Sequence, residues 1–185
     1  MYHIIWPRNP DTDSLCATLV AAEYSRLVGE EATPYRLSEL NEETTNVLQS
    51  LGIESPELLT TLPPKSDIVM VGHNDFSESI LNIESFTIKS IIDYHPVKNL
   101  TLTNPVQLRF EPVCSTCSIL FLMFVEQDLD IDDVLAKLIL AGILSATESL
   151  ESEATTDEER EIVQYLADDL GVGDITSYAK TLFQK

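Results

Sequence analysis

The chain has 185 residues, with 31 acidic and 11 basic side chains and a formal net charge of −20. An acidic surface repels phosphate backbones, so we expect no nucleic-acid partner. No apolar run approaches the ~20 residues that cross a bilayer, and the N-terminus lacks the basic and apolar regions of a signal peptide. With three cysteines, which cannot all pair, these features predict a reduced, cytoplasmic protein without a membrane partner.

Strand-like and helix-like patterns alternate along the chain. The first half predicts strands at 1–6, 33–37, 67–71 and 88–93, helices at 14–29 and 41–51, and helical turns at 55–62 and from about 75. The second half predicts a strand at 106–111 and helices at 116–127, 131–146, 156–170 and 174–183. This alternation indicates an α/β fold, a mainly parallel sheet with helices on both faces, in one domain over residues 1–185.

Polar residues follow three of the predicted strands. They are Asp11 and Asp13 after the first strand, His73 and Asn74 after the strand at 67–71, and Asp93, Tyr94 and His95 at the end of the strand at 88–93. Parallel strands bring their carboxyl ends to one edge, so these groups should gather there. Carboxylates suit Mg²⁺ or Mn²⁺, and helix N–H groups bind phosphate. Asp11 and Asp13 also fit simple helix capping, so both interpretations stay open.

Four motifs carry a family resemblance. Asn-Pro-Asp-Thr-Asp-Ser at 9–14, Gly-His-Asn at 72–74, Asp-Tyr-His at 93–95 and Glu-Pro-Val-Cys-Ser-Thr-Cys-Ser-Ile-Leu at 111–120 resemble the DHH phosphoesterase superfamily. The chain looks most similar to the N-terminal domain of manganese-dependent (family II) inorganic pyrophosphatases, over almost its entire length. The resemblance implies two-metal hydrolysis of pyrophosphate. It also implies a basic C-terminal domain, which we expect to be absent from this chain.

The metal ligands that this resemblance implies are mostly replaced. Asp11 and Asp13 match ligand positions, but the other four positions hold Pro7, Gly72, Tyr94 and Ala146. Proline, glycine and alanine offer no side-chain donor, and tyrosine ligates only as a phenolate, with an ordinary pKa of about 10. We therefore expect no metal, or one weakly bound Mn²⁺ or Mg²⁺ on Asp11 and Asp13.

Three functions remain open at this point. The leading hypothesis is a catalytically inactive relative that acts as a binding or assembly module, with a phosphate-bearing small ligand near Asp11, Asp13, Asp93 and His95. The alternative is an active metal-dependent phosphoesterase or pyrophosphatase with a rearranged or single-metal site, in which His95 is the general acid or a phosphate contact. The third is an interaction protein with a filled crevice that forms a homodimer through a sheet edge.

Other features favour structural roles. Cys114-x-x-Cys117 is half a zinc motif without a second pair, which favours a helix start. Asp75 is expected to cap a short helix. Trp6 is expected to fill space near the lost ligands, and most of the acidic run at 148–161 is expected to be solvated surface.

Overall fold

A computed structural model describes residues 1–183 of the chain. The strands are β1 (Tyr2–Ile5), β2 (Ala32–Arg36), β3 (Glu57–Leu58), β4 (Asp67–Val71), β5 (Thr87–Asp93) and β6 (Gln107–Phe110). The α-helices are α1 (Thr12–Leu27), α2 (Glu42–Leu51), α3 (Thr116–Glu126), α4 (Asp133–Ala146), α5 (Asp157–Asp169) and α6 (Ile175–Phe183). Two 3-10 helices, Phe76–Glu78 and Ile83–Ser85, lie between β4 and β5.

All six strands form one parallel sheet in the order β3-β2-β1-β4-β5-β6. The α/β class and the parallel sheet are therefore confirmed. The helical turn expected at 55–62 is wrong, because Glu57–Leu58 pairs with β2 as a short edge strand. The N–H of Leu59 donates to the carbonyl of Arg36 (2.8 Å), so pairing with the neighbouring strand overrides the local pattern.

The two faces of the sheet are covered differently. In β4, Val69 and Val71 pack with the cluster to which the α-helices contribute, while Ile68 and Met70 pack into a second cluster. That second cluster is completed by apolar residues of the 3-10 helices and of the loops around 59–62 and 100–106. Both faces are thus buried, as the continuous apolar run of β4 predicts, but the six α-helices of the described chain lie against one face.

The central strands place the candidate site. β1, β4 and β5 are neighbours and run parallel, so the residues that follow them meet at one edge of the sheet. α1 is the next element after β1 and starts at this edge. It packs against α3 and α4. Within residues 1–183, no helix is long and apolar enough to cross a membrane.

Candidate functional site

Asp11 is the N-cap of α1. Its Oδ1 accepts a hydrogen bond from the N–H of Ser14 (2.8 Å), and its side chain is exposed. This contact satisfies one of the free N–H groups of the first helical turn. Asp11 therefore stabilises α1 whether or not it also binds a cation.

Asp13 joins α1 to α3. Its carboxylate is buried and accepts hydrogen bonds from the Ser115 hydroxyl (2.6 Å) and from the N–H groups of Thr116 (2.8 Å) and Cys117 (3.1 Å). Burial, followed by the charge of Asp11, raises the pKa of Asp13 to about 6 despite these donors. Oδ1 accepts two of these hydrogen bonds and Oδ2 accepts one, so a lone pair of Oδ2 is left for a single cation.

Asp93 holds His95 in a fixed orientation. Asp93 is fully buried; its Oδ2 accepts from the Asn74 side-chain amide (2.6 Å), and its Oδ1 lies 2.7 Å from Nδ1 of His95. The N–H groups of Tyr94 (2.8 Å) and His95 (3.2 Å) also point at Oδ1. The hydrogen bond to Asp93 raises the pKa of His95, whose side chain remains partly exposed. Its Nε2 is therefore the ring nitrogen left for a ligand.

His73 and Asn74 have supporting roles. Nδ1 of His73 lies 3.1 Å from the carbonyl of Val71, and its Nε2 is buried without a partner among the described residues. Burial lowers the pKa of His73 to about 4, so the ring is neutral at physiological pH. The Asn74 side chain accepts from the N–H of Lys98 (2.8 Å) and so ties the loop after β5 to the end of β4. A hollow of about 100 Å³ lies between these two loops.

Tyr94 occupies a position where the resemblance implies a metal ligand, and its hydroxyl is a poor ligand while it is protonated. Its ring stacks on His95 with a centroid distance of 4.1 Å. Burial, and then the charges of Asp13 and Asp11, raise the pKa of Tyr94 far above its ordinary value. Without a bound cation the phenol therefore stays protonated, chiefly because it is buried.

The residues present do not fit a two-manganese centre. At Gly72, with φ +69°, a Cβ would lie 3.1 Å from Oγ of Ser14, and Pro7 and Ala146 bring no donor atoms. Among residues 1–183, no group of three or more His, Cys, Asp or Glu side chains is placed to hold a metal ion. Asp11 and Asp13 remain the carboxylates that a single cation would use.

Glu159 and Glu43 were missed by the sequence analysis. Most acidic residues of the run at 148–161 are exposed, as expected, but Glu159 is fully buried and accepts from the Cys114 N–H (2.8 Å) and the Ser118 hydroxyl (3.1 Å). Glu159 also forms the capping box of α5, and the Thr-x-x-Glu spacing from Thr156 is the signal that could have identified it. Glu43 accepts from the hydroxyls of Thr12 (2.6 Å) and Ser145 (2.7 Å), across three helices.

The structural interpretations of the remaining residues agree with the structure. Ser115 caps α3 between Cys114 and Cys117, and both cysteines are free thiols. Asp75 caps the 3-10 helix Phe76–Glu78 through the N–H of Ser77 (2.9 Å). Trp6 is completely buried against Leu15 and Leu48, beside the turn that leads to Asp11.

Comparison with known proteins identifies the family. Residues 2–143 match the model of the DHH family, N-terminal domain. The chain belongs to the DHH family. This DHH chain is 41% identical over 175 residues to a probable manganese-dependent inorganic pyrophosphatase of Deinococcus radiodurans, with 95% of the chain and 56% of that protein covered. It is 36% identical to a probable manganese-dependent inorganic pyrophosphatase of Oceanobacillus iheyensis, and the match covers 92% of this chain and 55% of that protein.

Solved structures agree with this assignment. A Methanococcus jannaschii crystal structure assigned to family II inorganic pyrophosphatase superposes with a TM-score of 0.89 at 29% identity, over 98% of this chain and 60% of that one. An exopolyphosphatase-related protein from Bacteroides fragilis shares the fold, with a TM-score of 0.75 at 15% identity. The superposition covers 100% of this chain and 56% of that chain. This DHH chain spans about half the length of the curated relatives that it matches.

Proposed function

We propose that this DHH domain hydrolyses a phosphoric anhydride or ester, with pyrophosphate as the first candidate substrate, at a rearranged site that holds at most one Mn²⁺ or Mg²⁺. The observation that carries the proposal is the meeting of Asp11 and Asp13 with the Asp93–His95 pair at one sheet edge. It is supported by relatives that are described as manganese-dependent pyrophosphatases. The alternative of an active enzyme thereby gains weight over an inactive relative.

His95 is the acid in this proposal. Asp93 fixes the ring through Nδ1 and favours its protonated form, so Nε2 can donate a proton to the leaving oxygen of a bound phosphate. Free N–H groups at the start of α1 attract the phosphate oxygens. A cation held by Asp11 and Asp13, when bound, would neutralise phosphate charge and lower the pKa of a bound water.

A second candidate is a phosphate-binding module without catalysis. The observation that favours it is the donor set: at four positions where the resemblance implies ligands, Pro7, Gly72 and Ala146 offer no side-chain donor and Tyr94 offers a phenol. Such a module would use the same helix N-terminus and His95 to bind an anion. It would bind inorganic phosphate or pyrophosphate and release no product.

A phosphate-release assay separates the two candidates. The chain is incubated with pyrophosphate and Mn²⁺, Mg²⁺ or Co²⁺ in turn. We expect His95→Gln to lower kcat by about 10²-fold or more, as the loss of a general acid does. We expect Asp11→Asn to lower the apparent affinity for the cation. Asp132→Asn, which alters the N-cap of α4 away from the site, is the matched control and should leave turnover unchanged.

The outcome decides between the candidates. Release that depends on a cation and on His95 supports hydrolysis. If the folded chain binds pyrophosphate in calorimetry but releases no phosphate above background with any of the three metals, the binding module replaces it. Asp13 is a poor test residue, because its loss would also release the N-terminus of α3.

A further inference from the structure

A separate cavity of about 640 Å³ opens on the sheet face that the 3-10 helices and loops cover. This volume lies within the roughly 300–1,000 Å³ typical of small-molecule sites. Its apolar wall consists of leucine, isoleucine and phenylalanine side chains from the segments after β2 and β3 and from the β4–β5 connection: Leu37, Leu59, Leu62, Ile80, Leu81 and Phe86. None of Asp11, Asp13, Asp93 and His95 lines it.

Arg8 gives this cavity a positive charge. Its backbone N–H donates to the carbonyl of Glu78 (2.8 Å), which fixes the chain at the cavity wall, and its side chain is half-buried in the lining. Within residues 1–183, the Arg8 guanidinium has no hydrogen bond or ion pair. The other arginines each donate to a carboxylate or a carbonyl: Arg26, Arg36, Arg109 and Arg160.

The polar part of the lining suits an anion. The lining residues include Thr60, Thr61, Asn82 and Ser85, which offer hydroxyl and amide donors, and include no Asp or Glu although the chain has 31 of them. A guanidinium with five donors in a planar fork matches a carboxylate or a phosphate. An unpaired arginine in so acidic a protein is therefore placed to select negative charge.

We propose that the cavity binds an organic anion, with a phosphate or carboxylate head group against Arg8 and an apolar body against the leucines. The site is distinct from the proposed hydrolytic site, and its existence does not depend on that activity. Its ligand must combine charge and apolar surface, because inorganic phosphate would leave the apolar wall uncovered and a neutral hydrocarbon would leave Arg8 unpaired.

Four probes test this combination. Hexyl phosphate and hexanoate carry both features, 1-hexanol lacks the charge, and inorganic phosphate lacks the body. In titrations of ¹⁵N-labelled protein, we expect the anionic probes to cause saturable amide shifts at 59–62 and 80–86. The better anionic probe should bind at least about tenfold more tightly than 1-hexanol or phosphate, and comparison of the two identifies the preferred head group.

Variants of Arg8 provide a second test of the proposal. Arg8→Gln should weaken the better anionic probe by about tenfold or more, while Arg8→Lys, which keeps the charge, should retain part of the affinity. Lys180→Gln removes the same charge from the exposed face of α6 and should change nothing. Absence of saturable shifts, equal binding of 1-hexanol, unchanged affinity in Arg8→Gln, or shifts confined to 93–95 would each overturn the proposal. If Arg8→Gln does not fold, the four-probe comparison on the wild type decides.

Discussion

Two buried titratable groups near the site should give opposite dependences of stability on pH. His73 has a folded-state pKa of about 4, below its ordinary 6.5, so the unfolded chain takes up the proton first as pH falls. Its contribution to stability is present above pH 6.5 and is lost towards pH 4. Asp13 has a folded-state pKa of about 6, above its ordinary 3.8, so the folded chain takes up its proton first and gains stability over the same range.

The magnitudes follow from these shifts. Between neutral pH and about pH 5, linkage gives a loss on the order of 2 kcal/mol from His73 and a gain on the order of 1 kcal/mol from Asp13. In the wild type these two contributions to the free energy of unfolding largely cancel, so its own pH dependence reveals neither of them. His73→Asn keeps a donor for the Val71 carbonyl without titrating, so its stability relative to wild type should improve by about 2 kcal/mol at pH 5. Asp13→Asn should instead lose on the order of 1 kcal/mol relative to wild type over that range.

Urea unfolding followed by circular dichroism at pH 7.5, 6.5 and 5.0 measures these differences. Each variant is compared with wild type at the same pH, so that titration of all other groups cancels. Equal m-values are required, since a changed slope would indicate a different unfolded or native state. If both variants show the same pH dependence as wild type, or if their signs are reversed, the assignment of these two groups as buried and oppositely shifted is refuted.

Three stability predictions follow from packing. Gly142→Ala should cost about 2 kcal/mol in urea unfolding, because the added methyl would collide with Sγ of Cys117, whereas Gly173→Ala meets open space and should be nearly neutral. Trp6→Ala should cost about 3–5 kcal/mol in the same measurement, since the indole is completely buried. Glu159→Ala should cost about 1–3 kcal/mol and speed hydrogen exchange of the Cys114 amide, because it removes the carboxylate that accepts from this N–H. Unchanged exchange at Cys114 would contradict the last prediction.

The central sheet could be predicted because its strands carry the pattern themselves. β4 is a continuous apolar run, and its two faces bury alternate residues as that pattern requires. β3 could not be predicted, because two exposed residues become a strand only through pairing with β2. The sequence predicts that the second sheet face is covered as well, but not that 3-10 helices and loops cover it, because their scattered apolar residues have no helical period.

The site was predicted as a set of positions but not as a set of contacts. The sequence placed Asp11, Asp13, Asp93 and His95 at one sheet edge, where the topology puts the ends of β1 and β5. It could not show that Asp13 points at the N-terminus of α3, because the two lie far apart in the chain. Whether the domain is catalytic stays a prediction, and the relatives favour the active alternative.

Asp11 and Asp13 make structural contacts that need no metal. Asp11 caps α1, and Asp13 accepts three hydrogen bonds that fix α3 against α1. Either carboxylate would therefore be favoured in a domain that had lost its cations, so their presence alone does not argue for a metal site. His95 is different, because its contact with Asp93 orients a partly exposed ring and uses Nδ1, not Nε2. Loss of activity in His95→Gln would therefore be stronger evidence for catalysis than the presence of Asp11 and Asp13. If Asp11→Asn still requires a cation at unchanged affinity, the ion binds elsewhere.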